Sequence, residues 1–376
     1  MDNFVYITYQ FFPYEKANNL QSIHTINTLA EKGFKIKLIY PNRDTKFNNF
    51  DLRNIYNINE NVQIIRTKHP LPFGKIKFFN KFFFLFSNFL WSIYTTLKFA
   101  DKSSNDIVIY TRTHWVLLTA IFKKNFFIYE CHKYSKSSKI VFWFIKNKKN
   151  ILLVFTTEYL KEVFNFSGVA FDNSLVIHSS YFENNFVKDK NKKKKNHVVF
   201  VGNLLRFDKD RNLTFLTEAF NNEKLKNFTL TIVGGPNEQI SNLKKNILYK
   251  NVHFTGKLSN LDSVKVMLNA EIGILLNTRY DNHSVYETSP LKFFEYIRSK
   301  LKVVAVDFPS HKALPFQDNL YYFEENNIDS LINALIQAQK TDFKYLSEIK
   351  DYSYEKRVEN ILKKLARLKG FEPLTY

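Results

Sequence analysis

The sequence predicts an α/β protein with two Rossmann-like, doubly wound domains that face each other across a cleft. Three observations carry this prediction. Strand-like apolar runs alternate with helix-like segments, the alternation starts again after a lysine-rich run, and 376 residues are long for one hydrophobic core. Because ligands of such sheets bind at the carboxyl ends of the strands, we expect both domains to present that edge to the cleft.

Residues 1–187 are predicted to form the first domain. Residues 4–8 (FVYIT) have the composition of a buried strand, and residues 22–41 predict a helix, a turn at Gly33 and a second strand. The same order of a strand followed by a loop or helix recurs in DIVIYTRTHW, NFFIYECH and ILLVFTTEYLKEVF. This rhythm is typical of a parallel sheet.

Residues 75–100 predict one amphipathic helix. Apolar residues recur there at three- and four-residue spacing: Phe78, Phe79, Phe82, Phe83, Phe86, Phe89, Leu90, Ile93 and Leu97. We expect this face to pack on the sheet. Other apolar residues lie off that face, among lysines: Phe84, Leu85 and Trp91, near Lys75, Lys77, Lys81 and Lys98. Because aromatic residues beside lysines suit the headgroups of an anionic bilayer, a membrane surface is the alternative partner of this segment.

The like-charged residues 188–196 (KDKNKKKKN) are predicted to be a linker, because equal charges repel and stay solvated. Residues 197–352 are predicted to form the second domain. Its strands are predicted in HVVFVGN, FTLTIVGG, NVHFTG and EIGILLN, and its helices in LTFLTEAFNN, SVKVMLNA and IDSLINALIQAQ. Residues 353–376 hold the last helix, within YSYEKRVENILKKLARL, and a tail.

The net charge of +20 predicts affinity for anions such as membrane headgroups, nucleic acid or phosphorylated ligands, although a biased composition would also produce it. The motifs of common nucleic-acid modules are absent, so we expect no nucleic-acid partner. The single cysteine, Cys131, and an N-terminus without a signal-peptide pattern lead us to expect a cytoplasmic protein. The apolar run at 82–97 is shorter than the ~20 residues of a membrane-spanning helix.

The segment 286–307 (YETSPLKFFEYIRSKLKVVAVD) contains two glutamates, Glu287 and Glu295, with seven residues between them. Ser289 and Pro290 predict a helix start, with serine as the N-cap and proline at the first helical position. Glu287 is then in the preceding loop and Glu295 inside the helix. A helix N-terminus binds phosphate oxygens, and flanking carboxylates bind hydroxyl groups, so this segment predicts half of a sugar-nucleotide site.

This segment resembles the motif of family 4 retaining glycosyltransferases, which have the GT-B fold and include enzymes of bacterial cell-surface polysaccharide and lipopolysaccharide synthesis. The matching residues are Glu287, Ser289, Pro290, Leu291, Lys292, Glu295, Tyr296 and the run VVAVD at 303–307. The resemblance implies that Ser289, Pro290, Leu291, Lys292 and Glu295 bind the donor. It further implies that Glu295 holds the ribose and that Glu287, a catalytic residue, orients the transferred sugar.

Other segments resemble the same family. Residues 200–220 resemble its first nucleotide-domain strand and the loop with a diphosphate-binding basic residue, which implies Arg211 in that role and Arg206 as a second candidate. Gly202 and the Gly234 of LTIVGG are implied to line the donor. The opening strand and loop imply acceptor-binding Asn18 and Asn19.

A histidine after a strand, His132 of YECH, is implied to act near the donor sugar, and the closing helix is implied to cross back to the first domain. Two residues and two short segments depart from the family pattern. Lys300 stands where relatives have glycine, Lys302 where they have proline, KANNLQ (16–21) where paired glycines occur, and HSSYF (178–182) where an NGVD-like motif occurs.

The resemblance implies sugar transfer with retention from a nucleoside-diphosphate sugar to a saccharide or lipid-linked acceptor. Glu287, His132 and Arg211 would be catalytic, and neither a cofactor nor a metal ion would be needed. The Asp208–Asp210 pair (DKD) matches a metal-binding pattern of another glycosyltransferase fold, but it lies in a basic loop. Two alternatives are a sugar-nucleotide epimerase of the same fold and a non-enzymatic, basic nucleic-acid- or membrane-binding protein.

Overall fold

The chain forms two compact units. The first runs to Ile177 and resumes at Tyr354, and the second spans His178–Ser353. The structure, a computed structural model, describes residues 3–13, 17–42, 48–69, 80–100, 107–168, 171–186, 193–206, 209–245, 247, 250–345 and 347–370.

The boundary between the units lies at residues 177–178 and not in the predicted linker at 188–196. Residues 193–196 of that run are attached to the second unit. The Lys194 N–H donates to the Asn269 carbonyl (3.0 Å), and the Asn196 N–H donates to Glu271 Oε2 (2.7 Å). These hydrogen bonds fix the end of the lysine run on the second unit, which charge repulsion alone did not predict.

The first unit contains a parallel sheet of seven strands in the order β3-β2-β1-β4-β5-β6-β7. The strands are β1 (Asn3–Ile7), β2 (Lys35–Pro41), β3 (Val62–Thr67), β4 (Ile107–Thr111), β5 (Phe126–Cys131), β6 (Ile151–Phe155) and β7 (Ser174–Val176). The helices are α1 (Ala17–Glu31), α2 (Asn49–Tyr56), α3 (Asn80–Phe99), α4 (Lys136–Ile145), α5 (Glu158–Phe166) and a 3₁₀ segment at His114–Ile121.

Helices cover both faces of this sheet, which is why its central strands are continuous apolar runs. One core cluster contains buried residues of α1 and α2, and the other contains those of α3, the 3₁₀ segment, α4 and α5. In the register of the sheet, Tyr6 of β1 pairs with Leu38 of β2 and with Tyr110 of β4.

Helix α3 buries a different face from the predicted one. Phe82, Phe86 and Leu97 of the apolar stripe are exposed, whereas the residues buried along the helix are Ser87, Trp91, Ser92, Thr95 and Thr96. Trp91 packs in the core of the first unit, and its Nε1–H is satisfied there by Thr67 Oγ1 on β3 (2.8 Å). The prediction that the phenylalanine stripe packs on the sheet is therefore wrong at these positions. Residues 75–79 and the Lys81 side chain lie outside the described part of the chain.

The second unit contains a parallel sheet of six strands in the order β12-β11-β8-β13-β14-β15, and a two-stranded hairpin. The strands are β8 (His197–Val201), β9 (Leu205–Arg206), β10 (Lys209–Asp210), β11 (Thr229–Val233), β12 (Val252–Gly256), β13 (Ile272–Leu275), β14 (Lys302–Val306) and β15 (Leu320–Phe323). The helices are α6 (Leu213–Ala219), α7 (Asn237–Lys244), α8 (Asn260–Asn269), α9 (Leu291–Arg298), α10 (Pro309–Lys312) and α11 (Ile328–Lys340).

Two apolar layers also cover this second sheet. One includes buried residues of α6, α7 and α11, and the other includes those of α8 and α9. The chain then returns to the first unit in α12 (Tyr354–Leu368), whose Val358, Ile361 and Leu365 join the same core as α1. The two parallel sheets with helices on both faces confirm the predicted class of two Rossmann-like domains.

Candidate functional site

At the carboxyl edge of the second sheet, β8 is followed by Gly202 and β11 by Gly234. The Gly202 N–H donates to the Val233 carbonyl (3.0 Å). A Cβ on Gly234 would lie 1.9 Å from the Gly202 carbonyl oxygen, and the Gly234 φ of +151° is one that other residues rarely adopt. Glycine is therefore required at position 234, and the two backbones approach each other without side chains between them.

Arg211 spans the same edge. Its Nη2 donates to the Leu276 carbonyl just past β13 (3.1 Å), and its guanidinium lies 5.6 Å from the centroid of the Phe200 ring on β8. These contacts fix the arginine between the carboxyl ends of two neighbouring strands. The other basic candidate, Arg206, has its backbone in β9, and its side chain lies outside the described residues.

Asp210 has a structural role at the start of α6. Its carboxylate accepts hydrogen bonds from the Leu213 N–H (3.1 Å) and from Thr214 Oγ1 (3.3 Å), which caps the first turn of the helix. The other residue of the pair, Asp208, is outside the described residues. In the part of the chain that the structure describes, no three His, Cys, Asp or Glu residues come together in a way that could hold a metal ion.

Helix α9 begins without the predicted serine cap. Its first residue is Leu291, and Pro290 occupies the cap position, where its ring offers no side-chain acceptor to the first N–H groups. Ser289 is instead held by the start of the second unit, where its Oγ accepts from the Ser179 N–H (2.9 Å) and its carbonyl accepts from Ser179 Oγ (2.7 Å). The predicted N-cap is therefore wrong, because a partner distant in sequence takes the serine hydroxyl.

The two glutamates of the motif flank this helix start, and both are buried. Glu287 ends a single π-helical turn, His283–Glu287, in place of the predicted loop, and its Oε2 lies 3.2 Å from His283 Nδ1. Glu295 lies inside α9, as predicted, and accepts a hydrogen bond from the Lys292 ammonium (2.5 Å). The structure thus brings Glu287, Lys292 and Glu295 around the uncapped end of one helix.

The first unit contains a buried charge network at the end of β5. Glu130 Oε1 accepts from the Tyr110 hydroxyl (2.5 Å) and from Arg357 Nη2 of α12 (3.0 Å). Glu130 Oε2 lies 3.1 Å from Nε2 of the predicted catalytic residue, His132. Arg357 Nη1 also donates to the Ile177 carbonyl (2.8 Å). Glu130 therefore holds the His132 imidazole, and Arg357 of α12 holds Glu130.

This network sets the protonation states of Glu130 and His132. Burial by itself would raise the pKa of Glu130, but Arg357 and the hydrogen bond from His132 hold that pKa well below its usual range. Burial, assisted by the nearby Arg112, lowers the pKa of His132 to about 3. The imidazole is therefore neutral at pH 7. Its proton is on Nε2, which faces a carboxylate, so Nδ1 is an acceptor.

The two predicted acceptor residues lie at the start of α1 and differ in exposure. Asn18 is exposed, and its carbonyl accepts from Arg112 Nη1 (2.8 Å) and Gln10 Nε2 (3.1 Å). Asn19 is buried, and its side-chain amide donates to the Phe11 carbonyl (2.7 Å). The Asn19 side chain therefore shapes the loop after β1, and Asn18 is the more accessible of the pair.

Sequence reasoning missed Glu130, Arg357 and Arg112. An acidic residue inside the apolar run of β5 was visible in the sequence, and a buried carboxylate requires a cation. Nothing in the sequence identified Arg357 as that cation, because 227 positions separate the two residues.

Comparison with known proteins finds one family that matches most of the second unit. Residues 195–340 match the family described as "Glycosyl transferases group 1", and this range contains all the candidate residues of that unit. No curated protein sequence matches the chain.

Solved structures share the fold of the whole chain. Sucrose-phosphate synthase from Thermosynechococcus elongatus aligns with a TM-score of 0.64 and 13% identity, over 99% of this chain and 95% of that one. The lipopolysaccharide outer core galactosyltransferase WaaB aligns with a TM-score of 0.63 and 12% identity, over 97% and 99%. Anabaena HepE, in complex with UDP and glucose, aligns with a TM-score of 0.59 and 12% identity, over 100% and 97%.

These matches agree with the resemblance found in the 286–307 motif. The chain has the fold of these solved structures, and its residues 195–340 match the family of group 1 glycosyl transferases.

Proposed function

We propose that this protein is a retaining glycosyltransferase that moves a hexosyl group from a nucleoside-diphosphate sugar to a saccharide or lipid-linked acceptor in cell-envelope glycan synthesis. One observation carries the proposal: the start of α9 has no side-chain cap and lies between buried Glu287 and Glu295, inside the matched glycosyl transferase range. HepE binds UDP and glucose on the same fold, and WaaB is a lipopolysaccharide galactosyltransferase.

In this proposal the donor diphosphate lies against the first N–H groups of α9, which carry the positive end of the helix dipole. Arg211 adds a fixed positive charge at the carboxyl edge of the same sheet. Both features stabilise the charge that grows on the departing diphosphate, and this is the main catalytic contribution of the protein. The leaving phosphate itself takes the acceptor proton, so the reaction uses neither a cofactor nor a metal ion.

The carboxylates then position the donor and do not react with it. Glu295 accepts from Lys292 through one oxygen and has remaining lone pairs for ribose hydroxyls. Glu287, oriented by His283, holds hydroxyls of the transferred sugar. His132 contributes its Nδ1 as a neutral acceptor for a sugar hydroxyl, since Nε2 is engaged by Glu130.

Donor binding tests this proposal. A panel of UDP-, GDP- and other activated sugars is screened by thermal shift, because a ligand that binds only the native state raises its stability. The best donor is then titrated by calorimetry into Glu295→Gln and into Glu238→Gln, an exposed acid on α7. We expect loss of binding and transfer in Glu295→Gln only. Equal donor affinity in the two variants would refute the role of Glu295.

Product analysis separates the proposed reaction from its alternatives. Transfer of the sugar with its anomeric configuration retained, in the presence of a strong chelator, supports a metal-independent glycosyltransferase. Conversion of the donor to an epimer without transfer would identify an epimerase. RNA binding that falls steeply with salt, without donor turnover, would identify a non-enzymatic binder.

We further propose that the first unit binds the anionic inner face of the cytoplasmic membrane, which presents a lipid-linked acceptor. Among the described helices, none is long and apolar enough to cross a bilayer. Large apolar side chains are nevertheless exposed on helices that share one face of the first sheet: Phe82, Leu85, Phe86, Tyr94 and Leu97 of α3, and Ile140, Trp143 and Phe144 of α4. Lys98 and Lys146 lie beside aromatic rings of these helices, an arrangement that suits lipid headgroups.

Flotation with vesicles tests this surface. The Phe82 and Phe86 rings are stacked and exposed on α3, so Phe82→Ser/Phe86→Ser is expected to reduce flotation with phosphatidylglycerol vesicles. Phe50→Ser is the matched control, because Phe50 is equally exposed on α2, which covers the other face of the sheet. Flotation that is unchanged in the double variant would remove the membrane from the proposal.

A further inference from the structure

A lysine-lined cavity of about 170 Å³ opens in the second unit, away from the candidate donor site. Five lysines line it: Lys193, Lys194, Lys195, Lys300 and Lys302. Lys302 is the first residue of β14, and Glu271, also in the lining, immediately precedes β13. The cavity therefore lies at the amino edge of a sheet whose carboxyl edge holds Gly202 and Gly234. A five-residue strand separates the two edges by roughly 15 Å.

Three sequence features that the donor site leaves unexplained meet in this cavity. The end of the lysine run, Lys193–Lys195, forms one part of the lining. Lys300 and Lys302 form another part, and they occupy the positions where the family pattern that residues 286–307 resemble has glycine and proline. Lys300 has a φ of +57°, a left-handed conformation that is unfavourable for residues with a Cβ. The positive charge of Lys300 is therefore present at a position where glycine would give a less strained backbone.

The acids of the lining do not neutralise its lysines. Five lysines face two carboxylates, those of Glu271 and Asp342, so three positive charges are in excess. Glu271 already uses both oxygens: Oε1 accepts from Lys302 Nζ (2.9 Å), and Oε2 accepts from the Asn196 N–H (2.7 Å). Lys194, Lys195 and Lys300 are exposed at the cavity and retain ammonium donors for a ligand.

The lysines of the lining also interact unfavourably with one another. Burial, together with Lys300 and Lys302, lowers the pKa of Lys193 to about 8, although Glu271 acts in the opposite direction. The cavity is well above the ~10–15 Å³ that one water molecule requires, so an oxyanion has room to enter. A phosphate or diphosphate group carries about two to three negative charges, which is close to the excess of three positive charges in the lining.

We propose that this cavity binds a phosphate or diphosphate group at a second site, distinct from the donor site, and that the group is carried either by a soluble metabolite or by a lipid headgroup. Lys193, Lys194 and Lys195 supply ammonium donors, and buried Lys302 adds a fixed positive charge. Because the charges are partly solvated, binding weakens as ionic strength rises.

Site-resolved amine labelling tests the proposal. The full chain is treated with a limiting amine-acylating reagent at about pH 8, near the pKa of Lys193, and each lysine is quantified by mass spectrometry. Inorganic pyrophosphate is expected to protect Lys193, Lys194, Lys195 and Lys300 while Lys226, exposed and outside the cavity, labels as before. Lys292 reports separately on any pyrophosphate bound at α9. Absence of protection at the four cavity lysines, with both pyrophosphate and vesicles, would overturn the proposal.

A double variant gives a second measurement. Lys193→Gln/Lys300→Gly removes two charges, places glycine where the backbone favours it and keeps an amide donor at position 193, so we expect the fold to be retained. Pyrophosphate protection of Lys194 and Lys195 is expected to require about tenfold more ligand in this variant, and the same amount as wild type in Lys226→Gln. Equal protection in both variants would also contradict the site.

Vesicles distinguish the two sources of the phosphate. Protection by pyrophosphate assigns the site to a soluble ligand. Protection by phosphatidic acid vesicles, but by neither pyrophosphate nor phosphatidylcholine vesicles, assigns it to a lipid headgroup.

Discussion

Glu130 of β5 and Arg357 of α12 form an ion pair in the first unit, with 3.0 Å between Oε1 and Nη2 and only 3% of each side chain exposed. The pair joins the last helix to the sheet across 227 positions of sequence. It also holds His132, because the second oxygen of Glu130 faces the imidazole. A contact that stabilises the fold therefore also orients a predicted catalytic residue.

Removal of one partner of this pair is expected to destabilise the first unit. Arg357→Met leaves a buried carboxylate without its cation, so the free energy of unfolding should fall by ~3–5 kcal/mol. Urea titration followed by tryptophan fluorescence measures this, since Trp91, Trp115 and Trp143 all lie in the first unit. Lys356→Met, on the same helix but half exposed and paired with Glu359, is expected to cost less than ~1 kcal/mol. Equal losses would contradict the importance of the buried pair.

The first unit is expected to lose stability as the pH falls below about 6.5. His132 has a folded pKa of about 3, so between these values the unfolded chain binds a proton that the folded chain rejects. The pKa of Glu130 is also depressed by folding, which adds a further loss as the pH falls through the ordinary range of a glutamate. Urea midpoints measured at several pH values should show this slope. His132→Gln should reduce this slope above about pH 5, and the remainder includes the contribution of His114, whose pKa burial lowers to about 4. An unchanged slope would exclude His132 as a source.

Gly234→Ala is expected to cost at least ~3 kcal/mol, because the new methyl would meet the Gly202 carbonyl oxygen at 1.9 Å on a backbone with φ +151°. Urea unfolding followed by far-ultraviolet circular dichroism measures this loss of stability. The matched control is Gly256→Ala, where φ is +72° and the nearest atom outside the chain neighbours, Asn237 Oδ1, is 3.7 Å away. That variant is expected to lose only ~1 kcal/mol. Comparable losses would show that the close approach at Gly202 is not what requires glycine.

Arg211→Lys is expected to weaken binding of the proposed nucleoside-diphosphate donor about tenfold while the charge is kept. Lysine lacks the planar guanidinium that bonds the Leu276 carbonyl and also lies near the Phe200 ring, so the charge would no longer be fixed at the sheet edge. Calorimetry with the best donor of the thermal-shift panel measures the change. Arg279→Lys, an exposed arginine paired with Glu325 in the same unit, is the control and should bind that donor as wild type does. A loss in the control as large as in Arg211→Lys would argue against a specific role.

Much of the fold followed from local patterns. The runs FVYIT, NFFIYECH and EIGILLN became strands β1, β5 and β13, and the segment after Pro290 became helix α9. These predictions succeeded because periodicity, proline and β-branched composition act within a few residues. The glycine at 234 was also predictable from its place after a strand, although the carbonyl that excludes a side chain there was not.

Predictions that depended on a distant partner were less accurate. Ser289 looked like a helix cap, but Ser179 takes its hydroxyl. The lysine run looked like a linker, but hydrogen bonds to Asn269 and Glu271 fix its end. The apolar stripe of α3 looked like its buried face, but Trp91, which bonds Thr67, is buried and Phe82 and Phe86 are exposed. In each case the deciding group is more than 20 residues away.

The sequence by itself determined the α/β class, the order of most strands and helices, and a motif with two glutamates around a helix start. Tertiary structure alone decided which face of α3 is buried, where the chain changes units, and which cation balances Glu130. The physical reason is that hydrogen-bond partners and burial are properties of neighbours in space. Local sequence determines the conformation of a segment, and only tertiary packing determines which residues that segment contacts.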